Sequence, residues 1–158
     1  MPITVNGIGT RYVGRRNSES ETGVCEFCNR AAQLHSYGTT LWFTVFYLPV
    51  LPLAKKQIFS ECGVCHKHRA LPQRKWEEIR SQTIADARAA ADAEPQDPIA
   101  AAQLLGALMS CFEREEAEQL AGDLVTRFPE SSDALMAAGA CFEKYGHAPE
   151  SERAFWAA

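Results

Sequence analysis

At 158 residues the chain suits one medium domain or two small ones, and 46% hydrophobic with 23% charged residues is neither a disordered nor a membrane-spanning composition. The net charge of −4 hides an asymmetry: residues 1–75 carry ten Lys/Arg against four acids, and residues 76–158 carry six against sixteen. That split points to two modules.

The first residues, Met1-Pro2-Ile3-Thr4-Val5-Asn6, lack the charged segment and apolar core of a secretory signal. Residues 3–16 mix β-branched residues with glycines and read as a short strand with a bend. Asn17–Gly23 is polar without periodicity and reads as a loop. Two Cys-x-x-Cys pairs follow, Cys25/Cys28 and Cys62/Cys65, at the spacing of two knuckles that close one four-cysteine site. Asn29 and His66, each directly after a knuckle, are residue types that tolerate the positive φ needed to aim backbone N–H groups at the sulfurs.

Between the knuckles lies the most apolar run of the chain, Leu41–Leu53. Leu34–Tyr37 and Leu41–Leu48 read as strands, the second apolar on both faces, so one face needs a partner element. Pro49 and Pro52 force an extended or turning path, and Gln57–Ser60 returns toward the second knuckle. The run is too short, and too interrupted by proline, to cross a bilayer as a helix.

From Pro72 the texture becomes helical. Trp76–Glu94 reads as a long helix ended by Pro95, followed by helices over Ile99–Phe112, Glu115–Phe128, Ser132–Tyr145 and Pro149–Ala158. The last four make two hairpins. Gly106 and Gly139 stand one residue short of a thirty-four-residue register, which a deletion in the Phe112–Glu116 turn explains. With Ala117, Ala158 and Pro129 at the expected places, the hairpins resemble tetratricopeptide repeats, with Gly106, Ala117, Gly139 and Ala158 where helices approach closely. Cys111 and Cys141 read as packing residues at matching places in the two first helices.

The fold class is therefore α+β in two modules. Residues 1–72 form a small antiparallel β zinc ribbon, 73–95 a connecting helix, and 96–158 an α-helical tetratricopeptide-like hairpin array. Cys25, Cys28, Cys62 and Cys65 are the metal ligands, and four thiolates leave no open position, so one structural Zn²⁺ is the expected cofactor. Two separate redox dithiols, a rubredoxin-like iron site, and haem attachment at Cys62-x-x-Cys65-His66 are the rival readings. His66 and His68 read as surface residues beside the site. Glu113, Glu115, Glu116 and Glu118 read as a solvated charge run. No nucleophile elbow, phosphate loop, dinucleotide fingerprint or zinc-protease motif is present, so no enzyme activity is expected.

Gly9-Thr10-Arg11, Cys25-x-x-Cys28, Trp42-Phe43-Thr44-x-Phe46-x-x-Pro49-x-x-Pro52-Leu53 and Cys62-x-x-Cys65 together resemble a family of small, mostly bacterial zinc-ribbon proteins. The resemblance covers about residues 7–66. It departs at Asn29 and His66, where the family has glycine, and it implies zinc binding without an established reaction. The same segment is distantly similar to the zinc domains of lipopolysaccharide-induced endosomal proteins, where an apolar stretch between two knuckles dips into a membrane surface.

The leading functional expectation is a non-enzymatic adaptor that binds a protein partner through the helical repeats, in the cytoplasm, where thiols stay reduced. The apolar end around Phe155 and Trp156 offers a surface for that partner or for a second copy of the chain. The alternative is peripheral membrane attachment through Trp42, Phe43, Phe46, Tyr47 and Leu48 with Lys55 and Lys56 nearby, set against burial of that strand. Nucleic-acid binding suits the basic half, but the bases are scattered and the acidic half repels phosphate.

Overall fold

Outside the knuckles the N-terminal half is rich in β-branched and aromatic residues, and in the computed structural model, which describes residues 3–158, it forms a curled antiparallel sheet. Its five strands lie in chain order: β1 (Thr4–Val5), β2 (Ile8–Val24), β3 (Ala31–Val45), β4 (Leu48–Cys62) and β5 (Arg69–Pro72). Five helices follow, giving an α+β arrangement: α1 (Gln73–Ala93), α2 (Pro98–Ser110), α3 (Arg114–Arg127), α4 (Ser132–Tyr145) and α5 (Ala148–Ala157). The chain divides into two units at Glu78/Ile79, inside α1.

In the sheet unit, Asn17–Gly23 is strand rather than loop. Glu19 to Val24 pair residue by residue with Ser36 to Ala31, after register shifts on either side of Arg16. The hydrophobic pattern could not reveal this, because most of β2 is exposed and neither of its faces is apolar. Beyond Ile8 and Gly9 its outer edge is uncovered by β1, and bulges and charges there oppose pairing with another chain. The unit's core is small: Leu34, Tyr37 and Ile58 with Cys25 and Cys62. Trp76, in the first turn of α1, packs edge-on against Phe59 of β4 at 4.9 Å.

In the helical unit, Leu105, Leu108, Leu124 and Leu135 are wholly buried among Ala117, Ala121, Ala134, Ala138 and Cys141. Asp97 caps α2 by accepting from the N–H groups of Ile99 and Ala100, and Ser131 caps α4 by accepting from Ala134. These two caps lie 34 residues apart, as do the first residues of α2 and α4 and those of α3 and α5. Phe112 and Gly146, the positive-φ residues that end the two first helices, keep the same spacing. The repeat register is thus a full thirty-four with no deletion, and the two glycines that indicated thirty-three are not equivalent. Gly139 faces a crowded contact, where an added Cβ would come within 2.6 Å of the Phe155 ring, whereas nothing lies within 4 Å of such an atom at Gly106. Ala117 is buried as expected, but Ala158 is exposed. Cys111 and Cys141 are both buried, yet Cys111 follows α2 and Cys141 lies a turn inside α4, so they are not matching positions.

Candidate metal centre

Each Cys-x-x-Cys pair is folded by its own backbone into the same turn. The Asn29 N–H donates to the Cys25 carbonyl at 2.8 Å, and the His66 N–H to the Cys62 carbonyl at 2.9 Å. The Cys25 N–H donates to Arg30 at 3.0 Å, and the Cys62 N–H to Lys67 at 3.1 Å. Backbone N–H groups donate to the sulfurs, among them Phe27 to Cys25 Sγ at 3.3 Å and Val64 to Cys62 Sγ at 3.4 Å. Asn29 and His66 sit at φ 53° and 58°, the left-handed conformation that the knuckle reading requires of them.

The first knuckle joins β2 to β3, and the second follows β4. Leu34 of β3 pairs with Cys62, and the Gly63 N–H donates to the Gln33 carbonyl at 2.9 Å, so the hairpin itself carries the two knuckles together. Arg69, at the start of β5, grips both carboxylate oxygens of Glu26 and ties the first knuckle to the chain leaving the second.

As a result the four sulfurs of Cys25, Cys28, Cys62 and Cys65 all lie within 4.8 Å of one another. Cys25 and Cys65 are 3.7 Å apart at Sγ, and Cys28 and Cys62 are 3.9 Å apart. Zinc–sulfur bonds of about 2.3 Å in a tetrahedron place neighbouring sulfurs about 3.8 Å apart. A disulfide needs about 2.05 Å. The cluster therefore has the size to hold a zinc ion, and two separate dithiols do not describe it. Cys25 and Cys62 are buried, while Cys28 and Cys65 are half-buried.

Four sulfurs this close cannot all be thiolates without a cation among them, and Cys62 and Cys28 shift in opposite directions. Backbone N–H groups of Cys65 and Val64 stabilise the Cys62 thiolate and hold its pKa down at about 6. At Cys28 the Arg30 backbone N–H pulls the thiol down, but burial and the three neighbouring thiols together push it up to about 11. Cys25, Cys28, Cys62 and Cys65 would hold a divalent ion, whose charge would favour the thiolate form of all four. His66 is exposed, and His68 faces the His66 carbonyl and the edge of Tyr12, so neither belongs to the sulfur cluster.

A second feature of the sheet was only half visible in the sequence. β3 and β4 are joined by a two-residue turn, Phe46-Tyr47, between the paired residues Val45 and Leu48. Both turn residues have positive φ, 49° and 64°. Such turns ordinarily take Asn-Gly, and a bulky residue there costs on the order of 1 kcal/mol or more. The turn is braced by the β1–β2 turn: the Tyr47 N–H donates to the Gly7 carbonyl at 3.0 Å, and Gly7, at φ 81°, lets the Phe46 backbone approach closely. Trp42 and Phe43 are half-buried, but Phe46 is 77% exposed, Leu48 68% and Val50 60%. Tyr47, Leu51, Leu53 and, from the N-terminal segment, Ile3, Val5 and Ile8 are exposed with them. Among the described residues no helix is long and apolar enough to cross a membrane.

No protein-family model, curated protein or solved structure matches the chain.

Proposed function

We propose that the protein is a non-enzymatic adaptor: a zinc ribbon of the small bacterial kind, held by one structural Zn²⁺, carrying a tetratricopeptide-like helical pair that binds another protein. The observation that carries the reading is the four-sulfur cluster. A cation bound to all four thiolates has no position left for substrate or water, so its contribution is to the fold. The thirty-four-residue spacing of caps and helix starts supports the repeat identity, and stacked helical pairs of this kind present extended binding surfaces.

Ile99 on α2 and Met136 on α4 are the exposed large apolar side chains of the two first helices. Crosslinking mass spectrometry of the full chain in its own cells tests the reading, comparing wild type with Ile99→Glu/Met136→Glu. A partner crosslinked through α2 and α4, and lost in the variant, is the expected result. Crosslinks that avoid these helices, or that persist unchanged in the variant, would overturn it.

The exposure of Phe46, Tyr47 and Leu48 supports a second reading, in which the same protein docks on a membrane surface through the end of its sheet. Co-sedimentation of the full chain with vesicles checks this directly; no co-sedimentation at low salt would remove it.

A further inference from the structure

Strand registers turn the sheet into a series of rows that can be counted back from the Phe46-Tyr47 turn. Val45 pairs with Leu48, and the next rows are Gly9–Thr44–Pro49, Thr10–Phe43–Leu51 and Arg11–Trp42–Pro52. Tyr12–Leu41–Ala54 and Val13–Thr40–Lys55 follow, and then Thr39–Lys56. The rows nearest the turn carry no charged residue. Arg11 comes three residues behind Val45 on the paired strand, about 10 Å at 3.3 Å per residue, and Lys55 and Lys56 about 7 to 10 Å further back.

The signs of these charges are one-sided. Residues 3–18 and 37–60 contain Arg11, Arg15, Arg16, Lys55 and Lys56 and not one Asp or Glu. Arg15 is paired with Glu61, and Arg16 donates to Thr40. Arg11, Lys55 and Lys56 make no ion pair among the described residues, and Arg11 and Lys55 are exposed. An apolar end followed by an unopposed cationic collar matches the order of acyl chains and anionic headgroups met on entering a bilayer. A depth of about 5–10 Å is where interfacial elements settle, and it leaves Arg11 at the headgroups with the lysines reaching forward on long stems.

The outer edge of β4 fits the same depth. β5 covers β4 only from Lys56 to Phe59, so Leu48–Lys55 has one uncovered edge. Pro49 and Pro52 have no N–H to leave unsatisfied there, and they discourage a second sheet from pairing with it. The remaining open N–H groups would be costly in the hydrocarbon interior, which limits the end to the interface.

We infer that this sheet end is a site for anionic lipid: Phe46, Tyr47, Leu48, Val50 and Leu51 enter the interfacial zone of a bilayer while Arg11, Lys55 and Lys56 hold its anionic headgroups. The inference rests on the membrane reading above and adds the lipid class and the residues that select it.

The test uses the zinc-loaded full chain and vesicles of phosphatidylcholine with or without phosphatidylserine. Two variants each change part of the surface: Phe46→Asp at the turn, and Arg11→Gln/Lys55→Gln/Lys56→Gln behind it, where Lys56 is half-buried. Unchanged zinc content and hydrogen-exchange protection in both show that the sheet is intact. Expected are binding to phosphatidylserine vesicles that weakens with salt, its loss in Phe46→Asp, and a fall of about a hundredfold in the charge variant, at about fivefold per cation. Equal binding to both vesicles, or an unchanged charge variant, would overturn the lipid assignment while leaving membrane docking standing. Binding to neither vesicle would overturn both. A dimer in light scattering that Phe46→Asp dissolves, without vesicle binding, would give the surface to a second copy of the chain instead.

Discussion

Removing zinc should melt the sheet unit and leave the helical unit folded. Among the described residues, the fully buried apolar side chains of the sheet unit other than its cysteines are Leu34, Tyr37 and Ile58. At about 1.5–3 kcal/mol each, these contribute roughly 5–9 kcal/mol before any ordering cost is counted. Binding of structural zinc to four-ligand sites is worth about 10–16 kcal/mol near neutral pH, more than these three side chains contribute. The helical unit does not depend on the site, since its centre is a continuous cluster around Leu105, Leu108 and Leu124. Hydrogen exchange read by mass spectrometry, with and without a strong chelator, resolves the two units. Peptides of β2, β3 and β4 should lose protection once the metal is stripped, while those of α2 to α5 keep theirs. Protection of the sheet that survives confirmed loss of metal would refute the argument, because it would mean that the small core suffices.

Two glycines in the helical unit should respond in opposite directions. Gly106→Ala puts a methyl group into open space in a helix and should stabilise by about 1 kcal/mol, whereas Gly139→Ala drives one into the Phe155 ring and should cost about 1–3 kcal/mol. Urea melts of both variants check the pair, and equal shifts would contradict the packing. Thr44→Val should stabilise the sheet by about 1 kcal/mol, because Thr44 Oγ1 is buried with no hydrogen-bond partner among the described residues; a destabilised variant would mean that the hydroxyl is used. Tyr37 donates its hydroxyl to Glu61 at 2.6 Å, and burial, then that carboxylate, pushes its pKa up to about 12. Because this lies above the unfolded value, the stability it contributes is complete below about pH 10 and disappears as pH rises toward 12. Burial also raises Tyr12, so ultraviolet titration of Tyr37→Phe should lose part of the late-ionising tyrosine signal and keep the rest; identical curves for the two proteins would reject it.

The helical half is legible in the sequence because its signals are local. The helix read over Ser132–Tyr145 coincides with α4, which Ser131 caps and Gly146, in the left-handed conformation, ends. The repeat register was read one residue off because it was taken from Gly106 and Gly139, and glycines mark close approach only when a neighbour is present. The caps Asp97 and Ser131 carry the register, since a cap is fixed by the backbone it satisfies. In the sheet half, the four-sulfur cluster follows from spacing, with Asn29 and His66 accepting the positive φ that glycine would give more cheaply. Asn17–Gly23 was not legible, because an exposed edge strand has no apolar face to set a period of two. Phe46-Tyr47 was read as the continuation of a strand for a related reason. Propensity places aromatics in strands and glycine or asparagine in turns, and here the contact with the β1–β2 turn overrides it.

The claim on which the account stands is one zinc ion held by Cys25, Cys28, Cys62 and Cys65. A native mass spectrum of freshly purified, untagged protein tests it directly. The account predicts one zinc per chain, lost on acidification as the thiolates take up protons. A spectrum showing iron, covalent haem, or a metal-free chain four hydrogens lighter through two disulfides would contradict it.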